Sequence, residues 1–412
     1  MLQRRACPYE QMFIHSKCML QLCVKASDPR YVDTFARQLV ERSPALRLKA
    51  ENGILKPLKS PAEPVMLPRN IVDIDEASQW VIKNLTPDPS DVLGSVAYGN
   101  GIVVLNTNHL GADGVYLSNL YSSLGKDVSV DDNPIPKSVF EIFTKEIKEC
   151  QLKVPATTHD PQILRFVPND PCDLNKQHSS GIIEFRIPMN SLASYDKGQR
   201  KCKYMTENSW AAMILSRFAF NSYTNSNGVS TLLNLRPLLK KSHFDYRICN
   251  LVSSVTAQAY DIDPNESLKV ITNRMRRDFE SRMAMGEHYG FLGLIRDIME
   301  GPPNNAPPSK PGLGTQLTSV GLFSGNPKIS DARISLTAAG GGSATNLCRL
   351  LIYSVDTHEN HNFVGQLHYD SALMSSKDAN KILNYLKHSF QNIKLEYSFK
   401  DAMKILEECK HP

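Results

Sequence analysis

Gly101-Ile102-Val103-Val104-Leu105-Asn106-Thr107-Asn108-His109-Leu110-Gly111-Ala112-Asp113-Gly114-Val115-Tyr116-Leu117 is the stretch on which the reading of this chain turns. Ile102 to Leu105 is a short apolar run rich in β-branched residues, opened by Asn100-Gly101, and it predicts a buried strand preceded by a turn. From Leu117 onward, Leu117, Leu120, Tyr121 and Leu124 recur at i, i+3, i+4 and i+7, one face of a helix that Gly125 would close as its C′ residue. Asp113 and Gly114 stand at the helix start, where an acidic side chain caps free N–H groups. His109 is thereby left at the strand's end, beside a small-residue turn, Gly111-Ala112, that lets another molecule come close. With an unperturbed pKa of about 6.5, an imidazole fixed there suits proton abstraction near neutral pH. On spacing alone, a single histidine before a helix is more often a capping or core residue than a base, so the rest of the chain has to decide.

Composition sets the frame. At 412 residues the chain exceeds one ordinary core and suits two domains of roughly two hundred residues each. Its apolar and charged fractions, 41% and 22%, are those of a globular protein and not a disordered one. The net charge of +5 would favour an anionic ligand such as a nucleotide-bearing co-substrate. It does not predict nucleic-acid binding: Lys240-Lys241 is only a pair, and Arg274, Arg276 and Arg277 are followed by Asp278 and Glu280. Nine scattered cysteines, an odd count with no Cys-x-x-Cys, suggest neither a disulfide framework nor a zinc ribbon. Met12 to Val24 is interrupted by His15, Ser16, Lys17 and Gln21, so no signal peptide is read there, and no run approaches the roughly 20 apolar residues of a membrane span. A soluble, cytoplasmic chain is the expectation.

The order of elements runs as follows. Residues 12 to 25 read as a first strand, and Asp28-Pro29 opens a helix striped by Val32, Phe35, Ala36, Leu39 and Val40. Ser43-Pro44 ends it, and Asn52-Gly53 marks a hairpin between Leu46-Arg47-Leu48 and Ile54 to Leu58. A short helix is expected near Ala77 to Lys83 and another over Val139 to Cys150, with a loop from Asp127 to Pro136 between the His109 unit and the latter. Thr157 to His178 has no clear period and several prolines, and reads as a connector. The pattern restarts near Gly181 with strands at Ile182–Pro188, Ser230–Leu235 and Leu251–Tyr260, and helices at Glu207–Tyr223 and Ser267 to about Met285. Gly301 to Gly314, with five prolines, is either a surface linker or a loop crossing between the halves. Strands follow at Gln316–Phe323, Ile334–Ala339, Leu347–Val355 and Asn362–Tyr369, then helices at Lys377–Phe390 and near Lys400–Glu408. Mixed strands and helices in both halves predict two similar α/β layers side by side, residues 1–178 and 179–412, although no sequence repeat is visible.

His109-Leu110-Gly111-Ala112-Asp113-Gly114 after a hydrophobic strand resembles the His-x-x-x-Asp-Gly signature of the chloramphenicol-acetyltransferase-like superfamily, which includes alcohol acetyltransferases, plant acyl-CoA-dependent acyltransferases and the condensation domains of peptide synthetases. Arg42-Ser43-Pro44-Ala45-Leu46-Arg47 is similar to the "R-x-P-x-L-R" phrase that precedes a β-ribbon in condensation-type domains. Leu233-Asn234-Leu235-Arg236-Pro237 resembles the family's "N-x-R" phrase, whose arginine pairs with the motif aspartate. Ile248-Cys249-Asn250-Leu251-Val252 is similar to "G-N-x-V", with Cys249 where glycine is usual, and Thr318-Ser319-Val320-Gly321 to "S-N-x-G", with Ser319 for asparagine.

The resemblance implies two lobes, each a mixed sheet with helices, and a channel at their interface entered by the two substrates from opposite ends. It implies an acyl-CoA-dependent acyltransferase, moving an acetyl or other short to medium acyl group to an alcohol or amine, with His109 as general base. Asp113 is expected to be structural and tied to Arg236, by a fork of two hydrogen bonds where geometry allows. Gly114, Thr318, Ser319 and Asn250 are the candidates for oxyanion or substrate contacts. No resident cofactor or metal is expected, acyl-CoA being a co-substrate. Asn108 stands where condensation domains usually carry a second histidine, and no carrier or adenylation module accompanies it in these residues. That ranks free acyl-CoA ahead of a carrier-protein donor. The Asp-Phe-Gly-Trp-Gly phrase of the plant enzymes is missing; Gly321-Leu322-Phe323-Ser324-Gly325 is a faint echo. The alternatives are a condensation-domain-like protein working on carrier-bound acyl groups, or an inactive acyl-binding relative. His358-x-x-His361 reads as a polar loop and not a metal site, Gly340-Gly341-Gly342 as a hairpin tip and not a phosphate cradle, and no Gly-x-Ser-x-Gly elbow supports a serine hydrolase.

Overall fold

The His109 strand lies at the middle of a sheet. Ile102–Asn108 is buried along its whole length and is flanked on both sides by antiparallel neighbours, Met19–Ala26 and Gly94–Gly99. The short strand Val65–Met66 extends this sheet in parallel, and Ile329–Thr337 closes its other edge. This computed structural model describes residues 3–128, 135–157, 160–169, 179–199, 201–220, 227–239, 248–301, 312–338 and 347–408. The Gly340-Gly341-Gly342 tip, most of the Gly301–Gly314 segment and the 178/179 division lie outside the described residues.

A second sheet is built from the later half, in the order Val252–Gln258, Gly228–Asn234, Leu313–Ser324, Leu347–Asp356, His361–Asp370 and Ser180–Pro188, with Arg165–Phe166 pairing beside it. Gly228–Asn234, Leu313–Ser324 and Leu347–Asp356 run parallel; the remaining ladders are antiparallel. Helices Met205–Phe220, Leu268–Ala284, Ser376–Asn392 and Phe399–Glu408 accompany this sheet, and Trp210, Ile382, Leu386 and Phe363 meet in its core. The fold is mixed α/β with two lobes. The lobes exchange a strand: Ile329–Thr337 belongs to the second half of the chain yet pairs with Met19–Ala26 of the first. An ion-pair cluster secures this crossing. Arg333 reaches Asp75 and, at 3.0 Å, Glu184, while Arg186 holds Asp331 at 3.0 Å.

Two expectations are corrected and one helix is added. Residues 12 to 25 are not one strand: Pro8–His15 is a helix and the strand is Met19–Ala26. Pro8 at the first helical turn and Glu10, whose carboxylate accepts the Cys7 N–H at 2.8 Å, start that helix. Val139 to Cys150 is two short helices, Val139–Ile142 and Thr144–Glu149, broken at Phe143. A helix that the sequence reading passed over, Glu287–Glu300, follows Leu268–Ala284 after Gly286, which turns the chain at φ +85°. The Asn52-Gly53 hairpin forms as expected, between Leu48–Glu51 and Ile54–Pro57.

Candidate active site

The strand Ile102–Asn108 ends in a single 3₁₀ turn, His109–Gly111, before the helix Gly114–Ser123 begins. Each side of this turn is pinned. Asn108 Oδ1 accepts the Leu110 N–H at 3.1 Å while its amide donates to the Phe13 carbonyl at 3.2 Å, and the His109 N–H donates to the Cys18 carbonyl at 2.8 Å. Gly111 packs on Ala45 so closely that an added Cβ would lie 2.8 Å from the Ala45 methyl. The far end of the helix is held by the Arg42 phrase: Arg42 donates to the Ser123 and Lys126 carbonyls, both at 2.7 Å, and the Tyr116 hydroxyl returns a bond to the Arg42 carbonyl at 2.6 Å. The first resemblance phrase thus has a mechanical role, capping the helix that follows the histidine.

Asp113 is 1% exposed and fully engaged. Its Oδ1 accepts the Tyr116 N–H at 2.8 Å as the helix N-cap. Its Oδ2 accepts from Arg236 Nη1 at 2.7 Å and from the Leu251 N–H at 2.8 Å. The anticipated fork is therefore a single bond, because Oδ1 is taken by the cap. Arg236 Nη2 turns instead to the Ile248 and Cys249 carbonyls at 2.8 and 3.3 Å, and Asn234 Oδ1 accepts the Arg236 N–H at 3.0 Å. The Asn234 and Ile248–Leu251 phrases, 123 to 138 residues from Asp113 in sequence, are the second lobe's clasp on the His109 turn.

His109 faces a cavity, open to solvent, where the lobes meet. Asp113, Gly114, Thr318 and Ser319 share its lining with His109. Asn250 does not line it; its amide donates to the His109 carbonyl at 2.6 Å and stands 3.2 Å from Nδ1. Phe13, from the helix Pro8–His15, stacks on the imidazole with ring centroids 4.3 Å apart and planes 10° apart. Burial lowers the His109 pKa below its ordinary value, partly opposed by hydrogen bonding to its own carbonyl and by the Asp113 charge, and reinforced by the Arg349 charge. The ring is consequently neutral at pH 7 and able to accept a proton. Gly114 sits where an added Cβ would meet Val320 at 2.8 Å, and the register shift between Ser319 and Gly321 marks the bulge that brings this segment over the helix start.

Most of the cavity wall is apolar. The helix Glu287–Glu300 contributes Phe291, Leu294, Ile295 and Ile298, opposed by Leu232, Leu233 and Val252 from the second sheet. The sequence reading missed this wall although Phe291, Leu294, Ile295 and Ile298 carry the i, i+3, i+4, i+7 signal. Arg349 and Gln316 are also in the lining and were likewise not foreseen. His358 lies in the Thr357–Asn360 connection and His361 opens the strand after it; they pair with Glu359 and Asp356 respectively, away from the cavity lining.

No family model and no curated protein matches the sequence. Solved structures match along nearly the whole length. Polyketide synthase associated protein 5 from Mycobacterium tuberculosis aligns with a TM-score of 0.62 at 14% identity, over 95% of this chain and 98% of its own. The first condensation domain of the calcium-dependent antibiotic synthetase gives 0.62 at 12%, covering 97% and 99%. The starter condensation domain of rhizomide synthetase, solved with C8-CoA and Leu-SNAC, gives 0.60 at 11%, covering 96% of each. The chain has the chloramphenicol-acetyltransferase-like fold. Within that fold the His109 turn, the Asp113–Arg236 clasp and the cavity fall at the junction of the two lobes. Among the described residues, no helix is long and apolar enough to cross a membrane.

Proposed function

We propose that this chain transfers an acyl group from a thioester to an alcohol or amine, with His109 as the general base. The observation that carries the reading is an imidazole, fixed by main-chain bonds and by Phe13, at the wall of an apolar cavity between the lobes. The acceptor's O–H or N–H gives its proton to Nε2 as the oxygen or nitrogen attacks the thioester carbonyl. The tetrahedral oxyanion then collapses, the C–S bond breaks, and the imidazolium returns the proton to the departing thiolate. This tautomer keeps the second ring proton on Nδ1, beside the His109 carbonyl. General base catalysis of this kind is worth roughly 10²–10⁴-fold. Thr318, Ser319 and the Gly114 N–H, which share the cavity lining with His109, are the candidates to donate to the oxyanion. Asp113 is no relay, since both its oxygens are committed to other donors. The reaction calls for no resident cofactor.

The likeness to condensation domains supports a carrier-protein thioester as donor more than free acyl-CoA, reversing the order drawn from the sequence. The apolar wall supports an acyl chain longer than acetyl. Incubation with octanoyl-CoA, an octanoyl carrier protein and a mixed panel of alcohols and amines, read by mass spectrometry, tests the proposal. Acylated product that falls at least 100-fold in a folded His109→Ala variant is expected. Undiminished turnover in that variant would remove His109 from the chemistry, and thioester binding without any product would leave an inactive acyl-binding relative.

A further inference from the structure

We infer that Tyr9 and Gln316 form an uncharged subsite in this cavity, where a phenol O–H and a carboxamide N–H hold a carbonyl oxygen set in an otherwise apolar substrate. Giving that oxygen to a substrate of acyl transfer rests on the reading above; the subsite itself does not.

Both donors are left over after the protein's own bonds are made. Gln316, on the strand Leu313–Ser324, is 5% exposed and lines the cavity. Arg349 Nε can only donate, so the Gln316 atom that meets it at 2.5 Å is Oε1, and the amide group is turned away from it. Arg349 has a further interaction of its own and serves here only to fix the carboxamide. Tyr9, on the helix Pro8–His15, is likewise 5% exposed and in the lining. Its ring packs against Phe13 with centroids 4.7 Å apart, and Phe13 stacks on His109 at 4.3 Å. The i, i+4 spacing on one helix therefore sets Tyr9 one ring further from the histidine. Burial pushes the Tyr9 phenol above its ordinary pKa, partly opposed by the Arg349 charge, and the hydroxyl keeps its proton to donate.

Among the described residues neither the Tyr9 hydroxyl nor the Gln316 amide nitrogen has a hydrogen-bond partner. Neither atom is sealed within protein, so the small area each residue leaves uncovered includes its donor. Arg349 stands beside both, bonding Gln316 and acting on Tyr9 through its charge. The surroundings are apolar: Leu347 and Leu351 flank Arg349 on the cavity face of their strand, and Met12, Leu20 and Leu336 share the lining. A donor withdrawn from water and left unpaired is costly, and a ligand oxygen that meets it removes the cost. A carbonyl oxygen has two lone pairs and accepts from both groups at once. A hydroxyl meets both only by turning its own proton on Tyr9, which leaves the phenol proton without an acceptor. Because the Phe13 ring lies between Tyr9 and His109, the carbonyl held here is a second one, remote from the thioester under attack.

Octan-2-one labelled with ¹³C at its carbonyl, compared with octan-2-ol, tests this on the full chain without turnover. Isothermal titration should show the ketone binding more tightly than the alcohol. The infrared carbonyl stretch of the bound ketone should lie below its position in hexane, the mark of an accepted hydrogen bond. Tyr9→Phe keeps the ring on Phe13, and Gln316→Glu keeps an acceptor for Arg349. Each should weaken the ketone about 2- to 10-fold and raise the stretch, and the double variant should return it to the hexane value. A wild-type chain that does not bind the ketone, a bound stretch at the hexane position, or variants that leave the stretch unmoved would each overturn the subsite. A merely structural role belongs to the last case, since it would weaken ketone and alcohol alike without shifting the stretch. His109→Ala should bind and shift the ketone as the wild type does. If it does so while acyl transfer is absent in every assay, the catalytic reading fails and the subsite stands; acyl transfer beside an unshifted ketone sinks the subsite alone.

Discussion

Replacing Asp113 with asparagine changes one atom at the clasp between the lobes, and its consequence follows from three measured contacts. The carboxylate accepts from Tyr116 N–H, Leu251 N–H and Arg236 Nη1, at 2.8, 2.8 and 2.7 Å. An amide has only one oxygen. If that oxygen stays on the Tyr116 cap, the new N–H₂ faces two donors, Leu251 and Arg236. If it turns around, the helix Gly114–Ser123 loses its cap. Stranding a buried cation costs about 3–5 kcal/mol, and here the lower end applies, because Arg236 is 14% exposed and keeps the Ile248 and Cys249 carbonyls. The unpaired Leu251 N–H adds about 1 kcal/mol or more. The expected loss is therefore about 4 kcal/mol, close to three decades in the folding constant. Urea unfolding followed by fluorescence and circular dichroism measures it. Pairing the change with Arg236→Met should recover part of the loss, since the stranded cation is then gone. A variant within about 1 kcal/mol of the wild type, failing only in proton transfer, would refute the structural role and revive a relay from Asp113 to His109.

Activity should carry the signature of a buried base. Because burial lowers the His109 pKa, kcat/KM should fall only as pH drops below about 6.5, with an apparent pKa under that value; a limb centred above it would contradict the neutral ring. Gly114→Ala should destabilise by about 1–3 kcal/mol through the 2.8 Å approach to Val320, and Gly114→Ala with Val320→Ala should regain most of it in the same unfolding assay. His288 is 4% exposed with neither ring nitrogen hydrogen-bonded among the described residues, and burial lowers its pKa. Its neutral form therefore supports the fold above about pH 6.5, and that support is lost as pH falls through the lowered folded value, where the unfolded chain binds the extra proton. His288→Phe should flatten the stability profile between pH 7 and pH 5; an unchanged slope would exclude this residue as a source of acid sensitivity.

What the sequence revealed about the fold was local chemistry with a strict geometric requirement. The Asp113 cap, the left-handed Gly125 at φ +73° and the Asn52-Gly53 hairpin each depend on residues adjacent in the chain, and each forms where the letters place it. The resemblance phrases extended this across the lobes, because Arg236 meets Asp113 through a side-chain bond that tolerates few other residues, with the Leu251 main-chain N–H beside it. The strand exchange was not legible. Ile329–Thr337 reads as any half-buried strand, and nothing within it says which sheet will accept it; that choice is made by Arg333 meeting Asp75 and Glu184, residues far away in sequence. The cavity wall was missed for a different reason: the Glu287–Glu300 helix turns Phe291, Leu294, Ile295 and Ile298 toward a space that a ligand would fill, and a periodic apolar face gives no sign whether it covers protein or a void.

Asn108 shows how a departure from the family phrase can be read once contacts are known. The sequence took the missing first histidine as an argument about the donor. In the structure Asn108 is an anchor: 1% exposed, it binds the Leu110 N–H and the Phe13 carbonyl, and Phe13 in turn stacks on His109. A side chain that offers both an acceptor and a donor, at this length, meets a demand set by the turn and by the helix Pro8–His15. Its identity therefore concerns how the His109 ring is held and carries no information about whether a thioester donor would be coenzyme A or a carrier. That distinction has to be made on the surface around the cavity mouth, where a carrier domain must dock and a free cofactor need not.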